Sequence, residues 1–440
     1  MSLKEKILKK KARVGIIGLG YVGLPEAVAL AKVGFQVTGI ELNKNKVEKV
    51  NRGHSYIADI REGELRDVVR RGKLRATTNP SAIRNLDVIC ICVPTPFNIY
   101  KEPDLSYVRD ATQQIAKNFR PQPSRFCEQL IILESTIYPG ATREVVLPVL
   151  STGPTRKKEG RKVGRDFYLV FSPERIDPGN KKYYITNTPK VVGGITRKCT
   201  ELGTLFYNQF ISKVIPVSSP EVAEMSKLLE NIFRNVNIAL VNELMLLCDR
   251  MKINIWEVIE AAKTKPFGFM SFKPGPGVGG HCIPVDPVYL SWKAKEYDFH
   301  TRFIELAAEI NSNMPYYVVS KILKLLQHKA KSVSKSKIVI LGAAFKKDIS
   351  DVRNSPALKV IELLKEEDAK VLYNDPYVPM LKIGKNFLKS AKLTPVLLRS
   401  ADCVVILTDH SNYDYEWIVK NSHLILDTRN IIKKRKVLRL

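Results

Sequence analysis

The sequence predicts an α/β protein with a sheet domain near each end and a helical domain between them. A strand-like run, a glycine-rich turn and a helix-like run follow one another at residues 13–34. Strand-like and helix-like runs continue to about residue 215 and start again near residue 337. Apolar residues recur with helical spacing over residues 219–262. The predicted domains are residues 1–215, 216–328 and 329–440.

The composition is that of a soluble globular protein. The 440 residues are enough for two or three domains, and 45% of them are hydrophobic and 26% charged. The seven cysteines show neither a secreted disulfide framework nor zinc spacing. The start of the chain lacks an apolar signal sequence, and no window approaches the ~18 apolar residues of a membrane span. We therefore expect a cytoplasmic protein with no metal and no membrane partner.

The net charge of +27 is compatible with three partners: nucleic acid, a membrane surface or small anionic ligands. Lysines and arginines are spread over the whole length, with short clusters at residues 9–11, 156–162 and 433–436. No motif that reads DNA or RNA accompanies them. A surface that attracts anionic substrates is the more economical explanation, so we expect no nucleic-acid partner.

The first predicted element is a dinucleotide site. The strand-like run 13–17 leads into the glycine turn GLGYVG at residues 18–23, and a helix and a second strand ending at Glu41 follow. Glycines permit a tight turn and close passage of a pyrophosphate at the helix N-terminus. An acid at the end of the second strand favours NAD over NADP, although Lys44 and Lys46 weaken that preference. The predicted cofactor contacts are Gly18, Gly20, Tyr21, Val22, Gly23, Glu41 and Lys46.

Three further strand-like runs end in polar turns stiffened by proline. They cover residues 86–96, 129–140 and 166–175. Ligands of an open parallel sheet bind at the carboxyl ends of its strands, so these turns should line one cleft. Each turn alone is equally compatible with an ordinary loop. The polar residues expected at the cleft are Thr95, Thr136 and Glu174.

A long helix is predicted from Ser219, which can cap it, with Pro220 in the first helical position. Its apolar side chains form a stripe that belongs to the core or to a dimer, so we expect a homodimer or a larger homo-oligomer. Lys227, Asn231 and Asn235 share another face because they are four residues apart. That face is either solvated or functional, and the asparagines are unusual for a solvated face.

A second α/β unit begins near residue 337 and lacks the glycine fingerprint. Its first turn carries Lys346, Lys347 and Arg353, which suit phosphate groups. We therefore predict a divergent, Rossmann-like nucleotide-binding domain. Its strand-like runs cover residues 337–342, 370–376 and 403–409, and its first helix-like run covers residues 355–367.

Between the two sheet domains, the loop PGPGVGGHCIPVDP at residues 274–287 places Cys282 after four glycines and two prolines. Glycine allows close approach of the backbone to a ligand, and proline stiffens the loop. A cysteine presented in this way is typical of a nucleophile, whereas most isolated cysteines pack as small apolar residues. The loop alone leaves both interpretations open.

Seven motifs in order make the chain resemble the UDP-glucose/GDP-mannose dehydrogenase superfamily, in particular its UDP-N-acetylhexosamine branch. The resemblance implies an N-terminal Rossmann NAD-binding domain, a central helical domain with a long helix and a C-terminal Rossmann-like UDP-sugar-binding domain. It also implies a four-electron oxidation of the sugar's C6 alcohol to a carboxylate with two NAD. The motifs are GLGYVGLP, VPTPFN, LESTIYPG, SPERIDPGN, EMSKLLENIFRNVNIALVNE, PGPGVGGHCIPVDP and FKKDISDVRNSP.

The resemblance further implies roles for individual residues. Cys282 matches the nucleophile that holds the sugar as a thiohemiacetal and then as a thioester. Lys227 and Asn231 match the pair that polarises the C6 oxygen, and Glu174 matches the base that activates water for hydrolysis. These three residues are also expected to contact the substrate. The other matches are Asp286 near the oxyanion, Thr136 at the catalytic water and the cofactor, Thr95 and Arg353 at the cofactor, and Arg175, Gly279 and Lys346 at the UDP-sugar.

Two departures from the family pattern bear on the sugar. The glucose-specific branch typically has a lysine where this chain has Val285, and a second glutamate after SPE where it has Pro178-Gly179. Both positions are expected to border the sugar. We therefore expect a UDP-N-acetylhexosamine, first UDP-GlcNAc, with UDP-ManNAc and then UDP-glucose as alternatives.

Two competing classes explain less of the sequence. Single-step dehydrogenases also join a Rossmann unit to a helical domain, but they need neither Cys282 nor a third domain. They form one NADH per substrate rather than two. A basic nucleic-acid-binding module would bind DNA or RNA in a salt-dependent way, and it leaves the glycine turn and the cysteine loop unexplained.

Overall fold

The structure of the protein is a computed structural model that divides into two compact units. The first unit contains Met1–Glu230 and Val288–Asp298, and the second contains Asn231–Pro287 and Phe299–Leu440. Pro178 of the expected sugar-binding turn and parts of two basic clusters lie outside the described residues. The structure describes residues 1–57, 59–98, 100, 102–120, 128–152, 160–177, 179–180, 182–433 and 437–440.

The first unit is built on one twisted sheet. Across its described residues the strand order is β3-β2-β1-β4-β5-β6-β7-β8. Neighbours pair in parallel except β6 and β7, which are antiparallel, so the expected parallel sheet is extended by two strands of opposite direction. The strands are β1 (Arg13–Ile17), β2 (Gln36–Ile40), β3 (Leu74–Thr77), β4 (Val88–Ile91), β5 (Leu130–Leu133), β6 (Tyr168–Phe171), β7 (Lys190–Gly194) and β8 (Val214–Val217).

Helices cover the sheet of the first unit and bury its apolar residues. Strands β4, β5 and β6 are buried along their whole length, as expected for parallel strands covered on both faces. A 3₁₀ turn covers Pro80–Asn85, and a π-helical turn covers Thr142–Val146. The helices are α1 (Leu3–Leu8), α2 (Gly23–Lys32), α3 (Lys44–Asn51), α4 (Glu62–Arg70), α5 (Ser106–Lys117), α6 (Leu147–Thr152) and α7 (Arg197–Tyr207).

The long helix α8 (Pro220–Met251) starts in the first unit and ends in the second. The predicted helical stretch 219–262 is wrong in one respect, because a break separates α8 from α9 (Ile255–Ala262). Lys252 has a positive φ of 58°, and the Asn254 side chain accepts a hydrogen bond from the Trp256 N–H at the start of α9. A left-handed residue followed by an asparagine cap ends one helix and starts another.

The predicted stripe on α8 is partly exposed. Leu229, Phe233 and Leu240 of the stripe are between 45% and 62% exposed, and Leu247 further along the helix is 51% exposed. Large apolar side chains at this exposure are unusual for an isolated surface helix and suit a surface that is covered by another chain. The homo-oligomer stays a prediction.

The second unit contains a parallel sheet with helices on it. Over its described residues the sheet order is β10-β9-β13-β14-β15, and a separate antiparallel pair, β11-β12, follows β10. The strands are β9 (Lys337–Leu341), β10 (Lys370–Asn374), β11 (Met380–Ile383), β12 (Asn386–Lys389), β13 (Cys403–Ile406), β14 (Ile425–Asp427) and β15 (Leu438–Arg439). The remaining helices are α10 (Asp286–Ala294), which runs into the first unit, α11 (Arg302–Gln327), α12 (Pro356–Glu366), α13 (Pro395–Arg399) and α14 (Tyr415–Asn421).

In the described part of the chain, none of the helices combines the length and the apolar character that crossing a bilayer requires.

Candidate active site

The glycine turn after β1 leaves backbone uncovered at the start of α2. Gly18 has φ +92°, and a Cβ atom added to Gly23 would lie 2.0 Å from the Gly18 carbonyl oxygen. A Cβ atom added to Gly20 would meet nothing within 4 Å. The first and last glycines are therefore required by the turn itself, whereas the middle one leaves space for a ligand. Val22 precedes α2 directly, and Tyr21 is 40% exposed.

Glu41 is held beside this turn at the end of β2. Its Oε2 atom accepts the Leu19 N–H at 3.1 Å, and its Oε1 atom accepts the Asn43 N–H at 3.1 Å. The Lys46 ammonium lies 3.8 Å from the same carboxylate. Tyr56 donates its hydroxyl to the Leu19 carbonyl at 2.6 Å, a contact that sequence reasoning missed. The turn and the acid together fit a dinucleotide whose ribose hydroxyls face Glu41.

The three predicted cleft residues follow adjacent parallel strands. Since β4, β5 and β6 are neighbours in register, their carboxyl ends lie at one edge of the sheet. Thr95 is buried, and its carbonyl accepts the Tyr289 hydroxyl at 2.7 Å. Thr136 is half-buried in the loop after β5, and Glu174 follows β6. The three turns therefore lie at one edge of the sheet within the first unit, and the cleft that they are expected to line stays a prediction.

Glu174 is held from both sides. Its Oε1 atom accepts the N–H groups of Arg175 and Ile176, both at 2.7 Å, and its Oε2 atom accepts Lys190 Nζ at 2.9 Å. Burial raises the pKa of this carboxyl, but the charge of Lys190, these hydrogen bonds and the charge of Lys227 outweigh burial and lower the pKa below its ordinary value. Glu174 is therefore ionised at neutral pH.

Behind Glu174 lies a buried cluster that sequence reasoning missed. Lys190 also donates to Glu134 Oε2 at 2.8 Å, and the Tyr207 hydroxyl donates to Glu134 Oε1 at 2.6 Å. Glu26 of α2 is fully buried, and burial followed by the charge of Glu134 raises its pKa well above the ordinary value. Charged residues within or beside apolar runs were the available signal, since such residues are seldom buried unless paired.

Arg175 is engaged in an ion pair in this structure. Its Nη2 and Nε atoms donate to the Glu230 carboxylate at 2.6 and 3.2 Å, and its Nη1 atom donates to the Pro189 carbonyl at 2.8 Å. Arg175 therefore ties the turn after β6 to helix α8. Its predicted contact with the substrate stays a prediction.

Helix α8 is tied to the loop after β5 as well. Glu224 accepts the N–H groups of Gly140 and Thr142 at 2.6 and 3.0 Å. Burial raises the pKa of Glu224 to about 7, against the lowering effect of these hydrogen bonds. Lys227, one turn further along α8, is 8% exposed. The predicted functional face of α8 is therefore buried rather than solvated.

Within the second unit, Asn231 and Asp286 meet beside the cysteine loop. Asn231 Nδ2 donates to Asp286 Oδ2 at 2.5 Å, and both residues are buried, at 7% and 1% exposure. Asp286 is the first residue of α10, and its N–H donates to the Cys282 carbonyl at 2.9 Å. The four-residue spacing of Cys282 and Asp286 is thus one turn closed by a backbone hydrogen bond.

The glycines before Cys282 let the loop lie flat on the segment after β9. A Cβ atom added to Gly279 would lie 2.7 Å from the Phe345 Cβ atom, and Gly280 has φ +95°. The Gly280 N–H donates to the Arg353 carbonyl at 2.9 Å. This contact places the segment that carries Lys346 and Arg353 beside the cysteine loop. Arg353 also forms an ion pair with Asp351 at 2.6 Å.

Cys282 differs from most of the other described cysteines in exposure. Cys90, Cys92, Cys199 and Cys403 are buried, and burial raises the pKa of Cys403 to about 12. Cys282 is half-buried. A thiol that a substrate can reach suits a nucleophile, whereas a buried thiol with a raised pKa is inert.

His281 precedes this cysteine and supplies no positive charge at neutral pH. Burial and then the charge of Arg353 lower the pKa of its imidazole. Any positive charge that stabilises the thiolate therefore has to come from another group.

A ladder of buried amides supports the loop from behind. The Gly275 N–H donates to Asn242 Oδ1 at 3.0 Å, and Asn242 Nδ2 donates to Asn311 Oδ1 at 2.9 Å. Asn311 Nδ2 donates to Asn235 Oδ1 at 2.8 Å. Asn235 belongs to the face of α8 that was predicted from the sequence, whereas Asn242 and its partner Asn311 on α11 were not predicted. The ladder connects α8, α11 and the cysteine loop.

Comparison with known proteins agrees with this arrangement over the full length of the chain. The UDP-glucose/GDP-mannose dehydrogenase family matches in three parts: its NAD binding domain at residues 12–211, its central domain at residues 221–313 and its UDP binding domain at residues 339–434.

Individual relatives cover nearly the whole chain. A UDP-N-acetyl-D-mannosamine dehydrogenase from Pyrococcus horikoshii is 35% identical over 431 residues, 97% of each protein. A UDP-N-acetyl-D-glucosamine 6-dehydrogenase from Salmonella typhi is 33% identical, covering 96% of this chain and 97% of its own. A solved UDP-D-ManNAc dehydrogenase structure from Pyrococcus horikoshii superimposes with a TM-score of 0.84, 32% identity and coverage of 97% of this chain and 98% of its own.

Fold, site and relatives together define an NAD-dependent dehydrogenase that acts on a nucleotide sugar. The chain belongs to the UDP-glucose/GDP-mannose dehydrogenase family. The predicted order of an NAD-binding domain, a central helical domain and a UDP-binding domain is confirmed, and so is NAD as the cofactor.

Glu41 should set the preference for NAD. Replacing it with alanine should weaken NAD binding and narrow the preference over NADP by roughly 10-fold or more, because it removes both the acceptor for the ribose hydroxyls and the charge that repels a 2′-phosphate. Titration of intrinsic fluorescence with each dinucleotide measures both affinities. Glu48→Ala, an exposed acid on α3, is the matched control. Equal affinity of the unmodified protein for NADP would refute the assignment.

Proposed function

We propose that this protein oxidises the C6 alcohol of a UDP-N-acetylhexosamine, first UDP-GlcNAc, to a carboxylate. The observation that supports this most strongly is the cysteine loop, in which a half-buried thiol lies one helical turn from a buried Asn231–Asp286 pair. One alcohol, one water and two NAD become one carboxylate, two NADH and three protons. A one-step dehydrogenase has no use for the thiol.

Cys282 converts the aldehyde formed in the first oxidation into a species that can lose a second hydride. NAD supplies a hydride acceptor in each of the two oxidation steps. Between those steps, the Cys282 thiolate attacks the C6 aldehyde carbon and forms a carbon–sulfur bond, which gives a thiohemiacetal. Loss of its remaining C6 hydride leaves a thioester on the sulfur. Water then releases the sugar acid and regenerates the thiol.

Lys227, Asn231 and Asp286 are the proposed groups around the C6 oxygen. A lysine ammonium and an asparagine amide are both donors, and donors stabilise the negative charge that develops on oxygen in each step. Asp286 accepts the Asn231 amide and so fixes its orientation. The Asn231 and Asp286 side chains are both buried. Burial strengthens their hydrogen bond because little water competes for it.

Glu174 is the proposed base for hydrolysis, and Thr136 the proposed partner of the attacking water. Glu174 is ionised at neutral pH, as a base has to be, and both residues follow strands that end at the same sheet edge. Lys346, Arg353 and the side-chain-free Gly279 are proposed contacts of the UDP-sugar and cofactor, and Arg175 is a further proposed substrate contact.

The preference for an N-acetylhexosamine rests on the cysteine loop and on the relatives. Val285 is 3% exposed, so the lysine typical of the glucose-specific branch would have to be buried there. The two relatives named above are a UDP-N-acetyl-D-mannosamine dehydrogenase and a UDP-N-acetyl-D-glucosamine 6-dehydrogenase. UDP-ManNAc is accordingly the second candidate substrate.

A panel of UDP sugars distinguishes these substrates. UDP-GlcNAc should give the highest kcat/KM, and UDP-glucose should be at least ~10-fold poorer, which is the scale of a few missing contacts. NADH absorbance with UDP-GlcNAc, UDP-ManNAc, UDP-GalNAc and UDP-glucose measures this directly. If UDP-ManNAc is turned over fastest, it replaces UDP-GlcNAc as the proposed substrate. If UDP-glucose is turned over fastest, the N-acetylhexosamine assignment is refuted.

A further inference from the structure

A buried lysine lies between two carboxylates, and one of them, Glu174, is the proposed hydrolytic base. Lys190, the first residue of β7, has a side chain that is 4% exposed. Its ammonium lies 2.8 Å from Glu134 Oε2 and 2.9 Å from Glu174 Oε2. The Tyr207 ring lies 5.1 Å from the same ammonium. Of the two carboxylates, Glu134 is completely buried and Glu174 is 11% exposed, so only Glu174 reaches the surface of the cluster.

We propose that Lys190 is a positioning residue for thioester hydrolysis: it keeps Glu174 ionised, and Glu134 keeps the ammonium paired while Glu174 carries a proton. This proposal rests on the proposed function, because it assumes that Glu174 is the base.

The reason for two carboxylates is the proton that the base has to accept. In the hydrolysis step, the water oxygen bonds to the thioester carbon, one water proton moves to Glu174, and the carbon–sulfur bond breaks with its electron pair on Cys282. Neutral Glu174 no longer balances the buried ammonium. An unpaired buried ammonium is costly, and the contact with Glu134 removes that cost. Glu174 then releases its proton to solvent, and no oxidant or reductant is needed.

The other groups that face the cluster do not replace Lys190. Burial and then the charge of Glu134 raise the pKa of Glu26 well above its ordinary value, which favours the neutral form of this carboxyl. Tyr207 donates a neutral hydroxyl to Glu134. Lys227 also lowers the pKa of Glu174, but less than Lys190 does. Removing Lys190 should therefore leave burial as the dominant effect on Glu174.

The experiment measures thioester hydrolysis as a function of pH. Each protein is mixed with NAD and either UDP-GlcNAc or UDP-ManNAc, quenched at intervals and examined by intact-protein mass spectrometry, so that loss of the acyl mass from Cys282 gives the rate. From about pH 5 to about pH 9 the unmodified protein should show a flat rate, since Glu174 stays ionised. In Lys190→Met the rate should fall at low pH. The midpoint of this fall, the pH at which the rate is half its maximum, should be about 1–3 units higher than in the unmodified protein.

Three variants make the outcome specific. Lys190→Arg keeps the charge and should restore a flat profile. Lys293→Met removes an equally buried lysine that pairs with two carboxylates elsewhere, Glu144 and Glu296, and should also leave the profile flat. Glu134→Gln leaves the ammonium unpaired whenever Glu174 carries a proton, so hydrolysis should be slower at every pH. The expected loss is on the order of 10-fold, which corresponds to one pKa unit, and the rate should not fall further at low pH.

Other results overturn the proposal. If the hydrolysis rate of Lys190→Met is independent of pH, whether unchanged or slowed by the same factor at every pH, the lysine is only structural. If Lys190→Met fails to fold, the double variant Lys190→Met/Glu134→Gln removes the unpaired buried carboxylate and must show the same raised midpoint. An unchanged rate in Glu134→Gln removes Glu134 from the proposal. If Glu174→Gln, with Lys190 intact, never accumulates an acyl mass on Cys282, the proposed function itself fails and this proposal fails with it.

Discussion

Replacing Cys282 with alanine should lower production of the sugar acid by at least ~10³-fold, because the loss of a catalytic nucleophile commonly removes even more activity than that. The first oxidation of the alcohol needs no sulfur and can still occur, so a trace of aldehyde is the expected product. Cys282→Ser should behave similarly, since any ester formed on serine hydrolyses slowly. Product analysis by mass spectrometry, together with NADH counted per sugar, measures the loss.

The variant Glu174→Gln should trap the thioester on Cys282, which Cys282→Ala cannot form. Glu174→Gln leaves the thiol intact and slows hydrolysis, so an acyl mass matching the UDP-sugar should accumulate on Cys282 and be absent from Glu174→Gln/Cys282→Ala. Cys248→Ser is the matched control, because Cys248 is the other half-buried thiol among the described cysteines. Two NADH per sugar from Cys282→Ala at the unmodified rate would return this cysteine to a packing role.

Replacing Asn311 with leucine should destabilise the second unit by about 3 kcal/mol. The change keeps most of the volume but leaves Asn242 Nδ2 and Asn235 Oδ1 without this partner, and each buried polar group left unpaired costs about 1–3 kcal/mol. Chemical unfolding followed by fluorescence measures the loss. Ser312→Ala, an exposed neighbour whose hydroxyl bonds only within its own helix, should change stability by less than ~0.5 kcal/mol.

A double-variant cycle tests the ladder itself. Asn242→Leu and Asn311→Leu should together cost less than the sum of their separate losses, since the two amides contact each other and both are absent in the double variant. The coupling should be about 0.5–3 kcal/mol. Additive losses would show that the Asn242–Asn311 bond contributes nothing. Slower NADH formation in Asn311→Leu would show that the ladder also holds the cysteine loop in place.

The sequence was informative wherever local rules determine structure. The glycine turn at residues 18–23 requires its first and last glycines for steric reasons, and Ser219 and Pro220 start a helix where capping rules place it. The spacing of Lys227 and Asn231 predicted one helical face. The strand-like runs that became β4, β5 and β6 were expected in a parallel sheet because strand-like and helix-like runs alternate, but their order in the sheet was not predicted.

Long-range pairing was beyond local rules. Nothing near Lys190 in the sequence indicates that it contacts Glu134, which is 56 residues away and follows a different strand. Asn311 joins a row of asparagines from another helix 69 residues from Asn242. The helix break at Lys252 was missed because the apolar spacing continues across it, and only the cap at Asn254 reveals the start of a new helix.

The chain order of the first unit has a consequence for biosynthesis. Val288–Asp298 belong to that unit, yet they leave the ribosome only after residues 231–287 of the second. Tyr289, whose hydroxyl donates to the carbonyls of Thr95 and Pro96, is among these late residues. Because domains tend to fold as they emerge, the N-terminal unit has to wait for its last segment while its neighbour is already being made. A nascent chain stopped at residue 230 would therefore leave these two carbonyls without the Tyr289 hydroxyl that they accept in the complete unit.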